Sequence, residues 1–332
     1  MRTRRRFFFL TLGAALAVPF RSYGQRDSGI RRLGFLASRS RSTPSNPDVY
    51  YDAFVDQLGK LGYVEGKNLS IEWRFADGRY ERLPQLASEL VKMNVEVIVA
   101  HSSPGMRAAQ DATHTIPIVM TAVGDPVGSG FAKSLARPGG NATGVALKIT
   151  DLTSRQLELL KAVVPDASRV AVLMNPANKA TVPPDLKDIR RSAKQLRMHI
   201  VPVHARTTEE IRSGFVTMTR QGAEAVIITG DAFYAGQSTL LAELALARRL
   251  PSIGWYRDHV KAGVLVSYGT DTAFLYRAAA VYVDRILKGA KPDKMPIEQP
   301  ARIHLAINRQ TAKALGLTIP QDLLLRANEV TD

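Results

Sequence analysis

From residue 30 onward, the chain alternates between short apolar runs and longer segments whose apolar residues recur about every 3.6 positions. The short runs predict β-strands, and the longer segments predict amphipathic helices. This alternation is typical of a parallel sheet whose strands are joined by crossover helices. The predicted strands of the first half are 32–36, 69–75, 95–100, 116–121 and 143–147. The predicted helices of that half are 49–61, 80–93, 104–112 and 154–163.

A second series of the same kind follows, so the chain is predicted to form two α/β lobes built alike. Its strands are predicted at 168–174, 199–203, 225–229, 251–254 and 264–268, and its helices at 185–196, 209–221 and 239–250. The remaining segments are too small for a third domain and must pack back onto a lobe. They are a helix at 273–287, an extended segment at 292–300, a strand at 303–307 and a helix at 309–315.

The first 24 residues follow a different pattern. Arginines at positions 2, 4, 5 and 6 precede an apolar run at 7–20 and the small-x-small triplet 22–24, which predicts an export signal cleaved before Gln25. The apolar run is shorter than the roughly 20 residues that a membrane helix needs. The segment 3–8 also fits a twin-arginine signal, so both this route and ordinary secretion remain open. No cysteine follows the run, which excludes lipoprotein anchoring.

Composition narrows the class of protein. The chain has no cysteine and is 45% hydrophobic, so hydrophobic burial must hold an exported protein of this size together. The formal charge of +15 falls to +10 when the five arginines of the signal are removed. The remaining basic residues are scattered or lie at helical spacing, as at 190–197, which indicates a solvated helix face. We therefore expect no nucleic-acid partner.

Candidate binding chemistry lies in the loops after the strands, because ligands of open parallel sheets bind at the carboxyl ends of strands. Ser102 and Ser103 open a helix, where their hydroxyls can either cap it or hold a ligand anion. Trp255 and Tyr256 can either pack in the core or contact a flat ligand. The glycine-rich stretch 124–130 matches neither a P-loop nor a dinucleotide fingerprint. The loops are 37–40, 101–105, 122–126, 175–176, 230–232 and 255–256.

Catalytic motifs are absent from the sequence. It contains no Gly-x-Ser-x-Gly elbow, no His-Glu-x-x-His helix and no thiol nucleophile. His101 and Ser102 are adjacent, but a nucleophile and its base need spatial approach and an orienting carboxylate. No two of the six histidines share a metal-ligand helical spacing. We expect a protein that is not an enzyme and that carries no metal or other cofactor.

Six ordered motifs between residues 30 and 330 resemble one family. This is the ABC-transporter substrate-binding protein family related to tryptophan/tyrosine uptake receptors. The motifs are 33–36 (LGFL), 61–68 (LGYVEGKN), 124–127 (GDPV), 137–144 (RPGGNATG), 265–269 (LVSYG) and 312–320 (AKALGLTIP).

The resemblance implies a periplasmic-binding-protein fold of type I, an α/β fold of two doubly wound parallel-sheet lobes with crossover segments. Lobe 1 would comprise 30–146 with about 268–292, and lobe 2 would comprise 147–267 with about 298–332. It also implies a monomeric periplasmic protein that captures an amino acid or similar zwitterion, with aromatic ligands included, for an ABC permease in the inner membrane. The site residues implied by analogy are Ser38, Ser102, Ser103, Asp125, Asp231 and Tyr268. Asp125 or Asp231 would take the ammonium.

Two other functions remain open from the sequence. An exported sensor that signals to a membrane receptor would also bind a ligand, so only its partner or an uptake defect separates it from an importer component. An exported α/β enzyme would turn its ligand over. A gene regulator built on the same lobes would need an N-terminal helix-turn-helix, which residues 1–30 cannot supply.

Overall fold

The computed structural model describes residues 29–41, 48–147, 152–179, 182–300 and 302–332. The predicted signal peptide, residues 1–24, lies outside these described residues. Within the described ranges, no helix combines the length and the apolar content that a membrane crossing requires.

The first half of the molecule is built on a sheet of parallel strands. They are β1 (Arg31–Ala37), β2 (Leu69–Phe75), β3 (Val97–His101), β4 (Ile118–Val123) and β5 (Ala142–Ala146). Their spatial order is β2-β1-β3-β4-β5. Every residue of β3 and β5 is buried, as expected of strands covered on both faces. The connecting helices are α1 (Val49–Lys60), α2 (Leu83–Lys92), which follows a 3-10 turn at Tyr80–Arg82, and α3 (Ser102–Ala112).

The second half is built on a larger sheet. Its strands are β6 (Arg169–Met174), β7 (His199–His204), β8 (Ala225–Ile228), β9 (Ser252–Gly254), β10 (Val266–Thr270), β11 (Ile303–Asn308) and β12 (Glu329–Thr331). Their order is β12-β11-β10-β9-β8-β6-β7. The pairing is parallel except between β10 and β11, which run antiparallel. The predicted α/β class with two parallel-dominated sheets is confirmed.

The helices of the second half include three that the apolar pattern does not predict. Helices α7, α9 and α12 have 4, 5 and 6 residues, too few for a 3.6-residue period to show in the sequence. The helices among the described residues of this half are α4 (Leu152–Val163), α5 (Val182–Gln195), α6 (Thr208–Arg220), α7 (Ala232–Ala235), α8 (Ser238–Ala247), α9 (Arg257–Lys261), α10 (Thr272–Leu287), α11 (Arg309–Leu315) and α12 (Gln321–Arg326).

The chain crosses between the two sheets near its end. Helix α10 follows β10 of the second sheet, yet it packs against α1, β4 and β5 of the first. After a 3-10 turn at Pro292–Lys294, Glu298 bridges to Val145 before the chain returns to β11. The segment predicted as extended from 292 is therefore extended only after this turn. We call the unit on the first sheet lobe 1 and the unit on the second sheet lobe 2.

Strand β1 shows how the sequence pattern becomes a two-sided core. Leu33, Phe35 and Ala37 face the apolar cluster under α1 and α10, whereas Leu36 faces the cluster under α2 and α3. This alternation follows the two-residue period of a strand. The Phe35 ring is fully buried and stacks on Trp73 at 4.7 Å between ring centroids. Full burial of one such side chain stabilises the fold by about 1.5–3 kcal/mol.

The two sheets share one strand order. Read from β7, the second sheet runs β7-β6-β8-β9-β10, which repeats the order β2-β1-β3-β4-β5 of the first. In sheets with this order, the chain leaves the first strand toward one edge and later continues toward the opposite edge. A crevice forms beyond the carboxyl ends of the two central strands, where the order reverses. The crevices lie at the ends of β1 and β3 in lobe 1 and of β6 and β8 in lobe 2. These four strand ends are where a ligand site is expected.

Candidate ligand-binding site

In lobe 1, two serine hydroxyls meet at the crevice between the ends of β1 and β3. Ser38 follows β1 and Ser102 follows β3, and their Oγ atoms are 2.7 Å apart. The Ser38 hydroxyl also donates to the carbonyl oxygen of His101 at 2.9 Å. Ser102 has φ 69°, a left-handed conformation that is costly for a residue other than glycine. Strained backbone of this kind is concentrated at functional sites.

The serines at the start of α3 do not cap the helix with their side chains. The N-cap is His101, and it makes no side-chain cap hydrogen bond. The Ser103 hydroxyl instead accepts from the Gly124 amide at 3.1 Å. Of the two roles that the sequence left open for these hydroxyls, the capping role is therefore wrong, because both point toward neighbouring strand ends.

In lobe 2, the crevice at the ends of β6 and β8 contains the buried carboxylate of Asp231, which is the N-cap residue of α7. The side-chain amides of Asn175 and Asn178 each donate to it at 2.9 Å. The backbone amide of Phe233 donates at 3.0 Å and the Tyr80 hydroxyl at 2.9 Å. Burial raises the pKa of Asp231, and the hydrogen bonds from Asn175, Asn178 and Tyr80 oppose that effect.

Tyr80 connects the two lobes. It belongs to the 3-10 turn before α2 in lobe 1, and its hydroxyl reaches Asp231 and accepts from the Phe233 amide at 3.3 Å in lobe 2. Gly78 permits this approach, since a Cβ there would lie 2.8 Å from the Phe233 ring. The lobes are therefore in direct contact across the crevice.

A cavity of about 670 Å³ lies beside this contact. Lobe 1 lines it with α2, α3 and the loop after β4, and lobe 2 lines it with the loop after β6. Its apolar wall includes Leu83, Pro84 and Phe131. Its polar lining is Tyr80, Ser103, Arg107, Asp111, Asp125, Ser129, Asn178 and Lys179.

Arg39 follows Ser38 at the end of β1 and is not among the residues that line this cavity. Its Nη2 forms an ion pair with Asp48 at 3.0 Å, and its guanidinium lies over the Tyr50 ring at 4.8 Å from the centroid. The side chain is only 9% exposed, and Nη1 has no hydrogen-bond partner among the described residues. Burial acts to lower the pKa of Arg39, but Asp48 and the surrounding tyrosines together outweigh it. The net pKa lies above its ordinary value, so the guanidinium stays charged.

Two neighbouring side chains report on the electrostatics of this region. Burial, with a further contribution from the charge of Arg39, lowers the pKa of His101 to about 3, so its imidazole is neutral at physiological pH. Burial raises the pKa of Tyr256; Asp231 raises it further, and Arg39 lowers it. The Tyr256 hydroxyl therefore lies within electrostatic reach of both buried charges, one from each lobe.

The six residues implied by the family resemblance are distributed unevenly. Ser38 and Ser102 are hydrogen-bonded to each other, and Ser103 lines the cavity with Asp125. Asp125 is exposed and accepts from the Gly128 amide at 2.8 Å, as a turn-forming aspartate does. Asp231 lies in lobe 2 at the contact with Tyr80. Tyr268 packs its ring against the apolar cores, and its carbonyl oxygen accepts from Gln156 at 2.7 Å. The role of these six in binding stays a prediction.

A family model described as ABC transporter substrate binding protein matches residues 43–331. The chain belongs to this family. The resemblance stated from the sequence motifs is thereby confirmed, and the family is one of substrate-binding proteins.

Three known proteins are similar to this substrate-binding protein over most of its length. It is 27% identical over 265 residues to a tyrosine-binding protein of Clostridioides difficile (strain R20291), covering 80% of this chain and 75% of that protein. It is similar to a conserved domain protein of Vibrio cholerae O1 biovar El Tor (28% identity, TM-score 0.83, 92% of this chain and 100% of that one). It is also similar to an ABC domain from Streptococcus pneumonia solved in complex with L-Trp (26% identity, TM-score 0.82, 90% and 99%).

Three further residues of this substrate-binding protein enter the site without having been predicted. Arg39 lies within the loop 37–40 that follows β1, and Asn178 lies two positions beyond the loop 175–176, but neither is among the six residues that the resemblance implies. Tyr80 is the first residue of the helix predicted at 80–93, with nothing to mark it as a site residue. Its approach to Asp231 joins residues 151 positions apart, which a local pattern cannot reveal.

Proposed function

We propose that this protein is the periplasmic solute-binding component of an ABC importer, and that it captures an aromatic amino acid in the crevice between its lobes. Residues 30–146 with about 268–292, and 147–267 with about 298–332, would form the two lobes that close on the ligand. The closed form would then dock on a permease in the inner membrane, which recognises the changed surface. The predicted export signal supports a periplasmic location.

The observation that carries this proposal is a pair of acceptor atoms that can take a further hydrogen bond. One belongs to Asn178, which lines the cavity, and the other to Asp231, to which the Asn178 amide is hydrogen-bonded. Asp231 Oδ1 receives three hydrogen bonds, but Oδ2 receives one, from the Asn178 amide. Asn178 Oδ1 has no partner among the described residues. The bond from Nδ2 fixes which atom of the Asn178 amide is the oxygen. A carboxylate oxygen and an amide oxygen held side by side suit a ligand ammonium.

The cavity supports an aromatic side chain. Its volume of about 670 Å³ falls within the range of about 300–1,000 Å³ that small-molecule sites occupy. Leu83 and Pro84 offer apolar surface to a ring, with Phe131 beside them, and polar side chains supply much of the remaining lining. A ligand with one ammonium and one large apolar group matches this distribution.

The relatives support the same ligand class. One is a tyrosine-binding protein, and another was solved with L-Trp. The arrangement of lobes is also informative. The TM-score is 0.82 against the L-Trp complex, but 0.63 against a ligand-free, open substrate-binding protein from Clostridium difficile at 25% identity. The lobe contact through Tyr80 accords with a closed, binding-competent arrangement.

Thermal unfolding of the exported protein, freed of copurified ligand by unfolding and refolding, tests this proposal. The panel comprises aromatic and aliphatic amino acids, purines, sugars and short acids. At 100 times its dissociation constant, a ligand should add about 2.7 kcal/mol of stability. We expect stabilisation by L-tryptophan or L-tyrosine, with the ligand recovered unchanged. Stabilisation only by another class, or chemical conversion of the ligand, would contradict the proposal.

A further inference from the structure

The buried guanidinium of Arg39 is incompletely satisfied by the protein. The ion pair with Asp48 uses Nη2, and the Tyr50 ring covers one face of the group. Nη1 has no hydrogen-bond partner among the described residues, although the side chain is nine-tenths buried. A charged donor left unpaired away from water is costly, so native structures retain one where a further acceptor arrives.

Other donors without partners surround Arg39. The hydroxyls of Tyr51 and Tyr276 are both buried and have no hydrogen-bond partner in the part of the chain that the structure describes. Their rings are 5.7 Å apart, and the His101 ring is also 5.7 Å from that of Tyr276. Both tyrosines act electrostatically on Arg39. The cluster therefore presents a cation and two hydroxyls, and a carboxylate could accept hydrogen bonds from all three.

The serines of the neighbouring strand ends are less suited to hold an anion. The Ser38 and Ser102 hydroxyls bond to each other, and the Ser103 hydroxyl holds the Gly124 amide. These bonds connect adjacent strand ends, so breaking them for a ligand would cost scaffold hydrogen bonds. Arg39 has a donor to spare and loses nothing by binding.

We propose that Arg39 binds a carboxylate group of the ligand, with the Tyr51 and Tyr276 hydroxyls as additional donors. The ligand is thus a carboxylate compound. This proposal rests on the proposed function, in which the ligand binds between the lobes. A planar guanidinium matches a carboxylate better than a serine loop does. Arg39 of lobe 1 and Asp231 of lobe 2 both act electrostatically on Tyr256, so each lobe contributes one charge of opposite sign to the region between them. Closing the crevice would then complete the binding site.

The test compares three probes by calorimetry: L-tryptophan, indolepropionate, which lacks the ammonium, and tryptamine, which lacks the carboxylate. The main variant is Arg39→Gln combined with Asp48→Asn, because a lone Arg39→Gln would leave the Asp48 carboxylate buried without its cation. Asparagine at 48 can still accept from the Tyr50 amide at the start of α1. Arg39→Lys provides a second variant that keeps the charge, should the double variant fail to fold. Ser102→Ala and Ser103→Ala test the competing assignment, in which the serine loop holds the carboxylate.

We expect the double variant to bind L-tryptophan and indolepropionate roughly 10- to 100-fold more weakly, and tryptamine as the wild type does. Arg39→Lys should weaken the binding of these two probes by less than the double variant does, and the serine variants should weaken it by less than about threefold. If the serine variants lose L-tryptophan while the double variant retains it, the Arg39 assignment is wrong and the proposed function stands. If the wild type binds indolepropionate through Arg39 but no aromatic amino acid, the proposed function is wrong and the carboxylate site stands. If no carboxylate probe binds the wild type, both fail.

Discussion

Two aspartates among the predicted site residues illustrate how burial decides the role of a side chain. Asp231 is 3% exposed and collects four hydrogen bonds from four different residues. Asp125 is exposed and accepts one bond within its own turn. The same side chain therefore organises the crevice at one position and shapes a loop at the other.

Replacing Asp231 by asparagine should be destabilising. An amide supplies one acceptor oxygen and places a donor NH₂ against donors already present, so we expect the free energy of unfolding to fall by about 1–3 kcal/mol. Binding of L-tryptophan should weaken with it. Urea unfolding and calorimetry measure the two effects. Asp125→Asn, which keeps an acceptor for Gly128, is the control and should change stability by less than about 0.5 kcal/mol. Equal effects in both variants would contradict the assignment.

Two buried histidines should make stability depend on pH. Burial lowers the pKa of His101 to about 3 and that of His259 to about 4, against about 6.5 in an unfolded chain. As the pH falls below about 6.5, the unfolded chain binds protons that the folded one does not. Each histidine should therefore lower the free energy of unfolding by up to about 1.4 kcal/mol per pH unit, until its folded pKa is reached.

Urea unfolding at several values between pH 7 and pH 4.5 measures this slope. His259→Gln should remove the share due to His259. The exposed His114, replaced in the same way, serves as the control for substituting a histidine. A slope that is identical in the wild type and His259→Gln would show that His259 does not contribute.

At the scale of elements, the pairing of β4 with β5 depends on one glycine. Gly144 has φ 128°, and a Cβ there would lie 2.4 Å from the carbonyl oxygen of Met120 on β4. The Gly144 carbonyl also accepts from the Glu298 amide of the crossing segment at 3.0 Å. Strand pairing and the return of the chain to lobe 2 therefore meet at this residue.

Gly144→Ala should lower the free energy of unfolding by at least about 1–3 kcal/mol, because the backbone must adopt a costly conformation or the strands must separate. Gly140→Ala is the control in the same segment, since a Cβ at Gly140 meets nothing within 4 Å. Urea unfolding of both variants checks the prediction. Comparable stability of the two would show that β5 shifts to accommodate the side chain at no cost.

At the scale of the whole molecule, the hydrogen bond from Tyr80 to Asp231 joins the lobes directly. Tyr80→Phe removes only the hydroxyl, so we expect a loss of about 0.5–1.5 kcal/mol for the closed form. Ligand binding should weaken roughly 2- to 10-fold. Small-angle scattering should show a larger radius of gyration for the ligand-free variant, which falls when ligand binds.

A matched control for that variant exists within lobe 1. The Tyr63 hydroxyl donates to Asp284 at 3.0 Å, linking the end of α1 to α10 without crossing the crevice. Tyr63→Phe should therefore affect stability but leave both the ligand affinity and the radius of gyration unchanged. If Tyr63→Phe weakens binding as much as Tyr80→Phe, the effect is general destabilisation and the interlobe contact has no separate role.

Local pattern was sufficient for most elements but not for the shortest ones. Strand β2 and helix α11 lie where the pattern predicts them, because each buries one regular face. Helix α7 escaped prediction, yet its N-cap Asp231 organises the crevice of lobe 2. The proximity of Ser38 to Ser102 follows from a rule about strand ends, whereas the contact of Tyr80 with Asp231 follows from none.

The sequence by itself determined the α/β class, the two similar lobes and the family, because apolar periodicity and ordered motifs are properties of neighbouring positions. Only the tertiary structure decided the antiparallel direction of β11, the contact of Tyr80 with Asp231 and the absence of a partner for Arg39 Nη1 among the described residues. Each depends on which groups meet across long stretches of chain, and a polar atom counts as satisfied or spare only in relation to such partners.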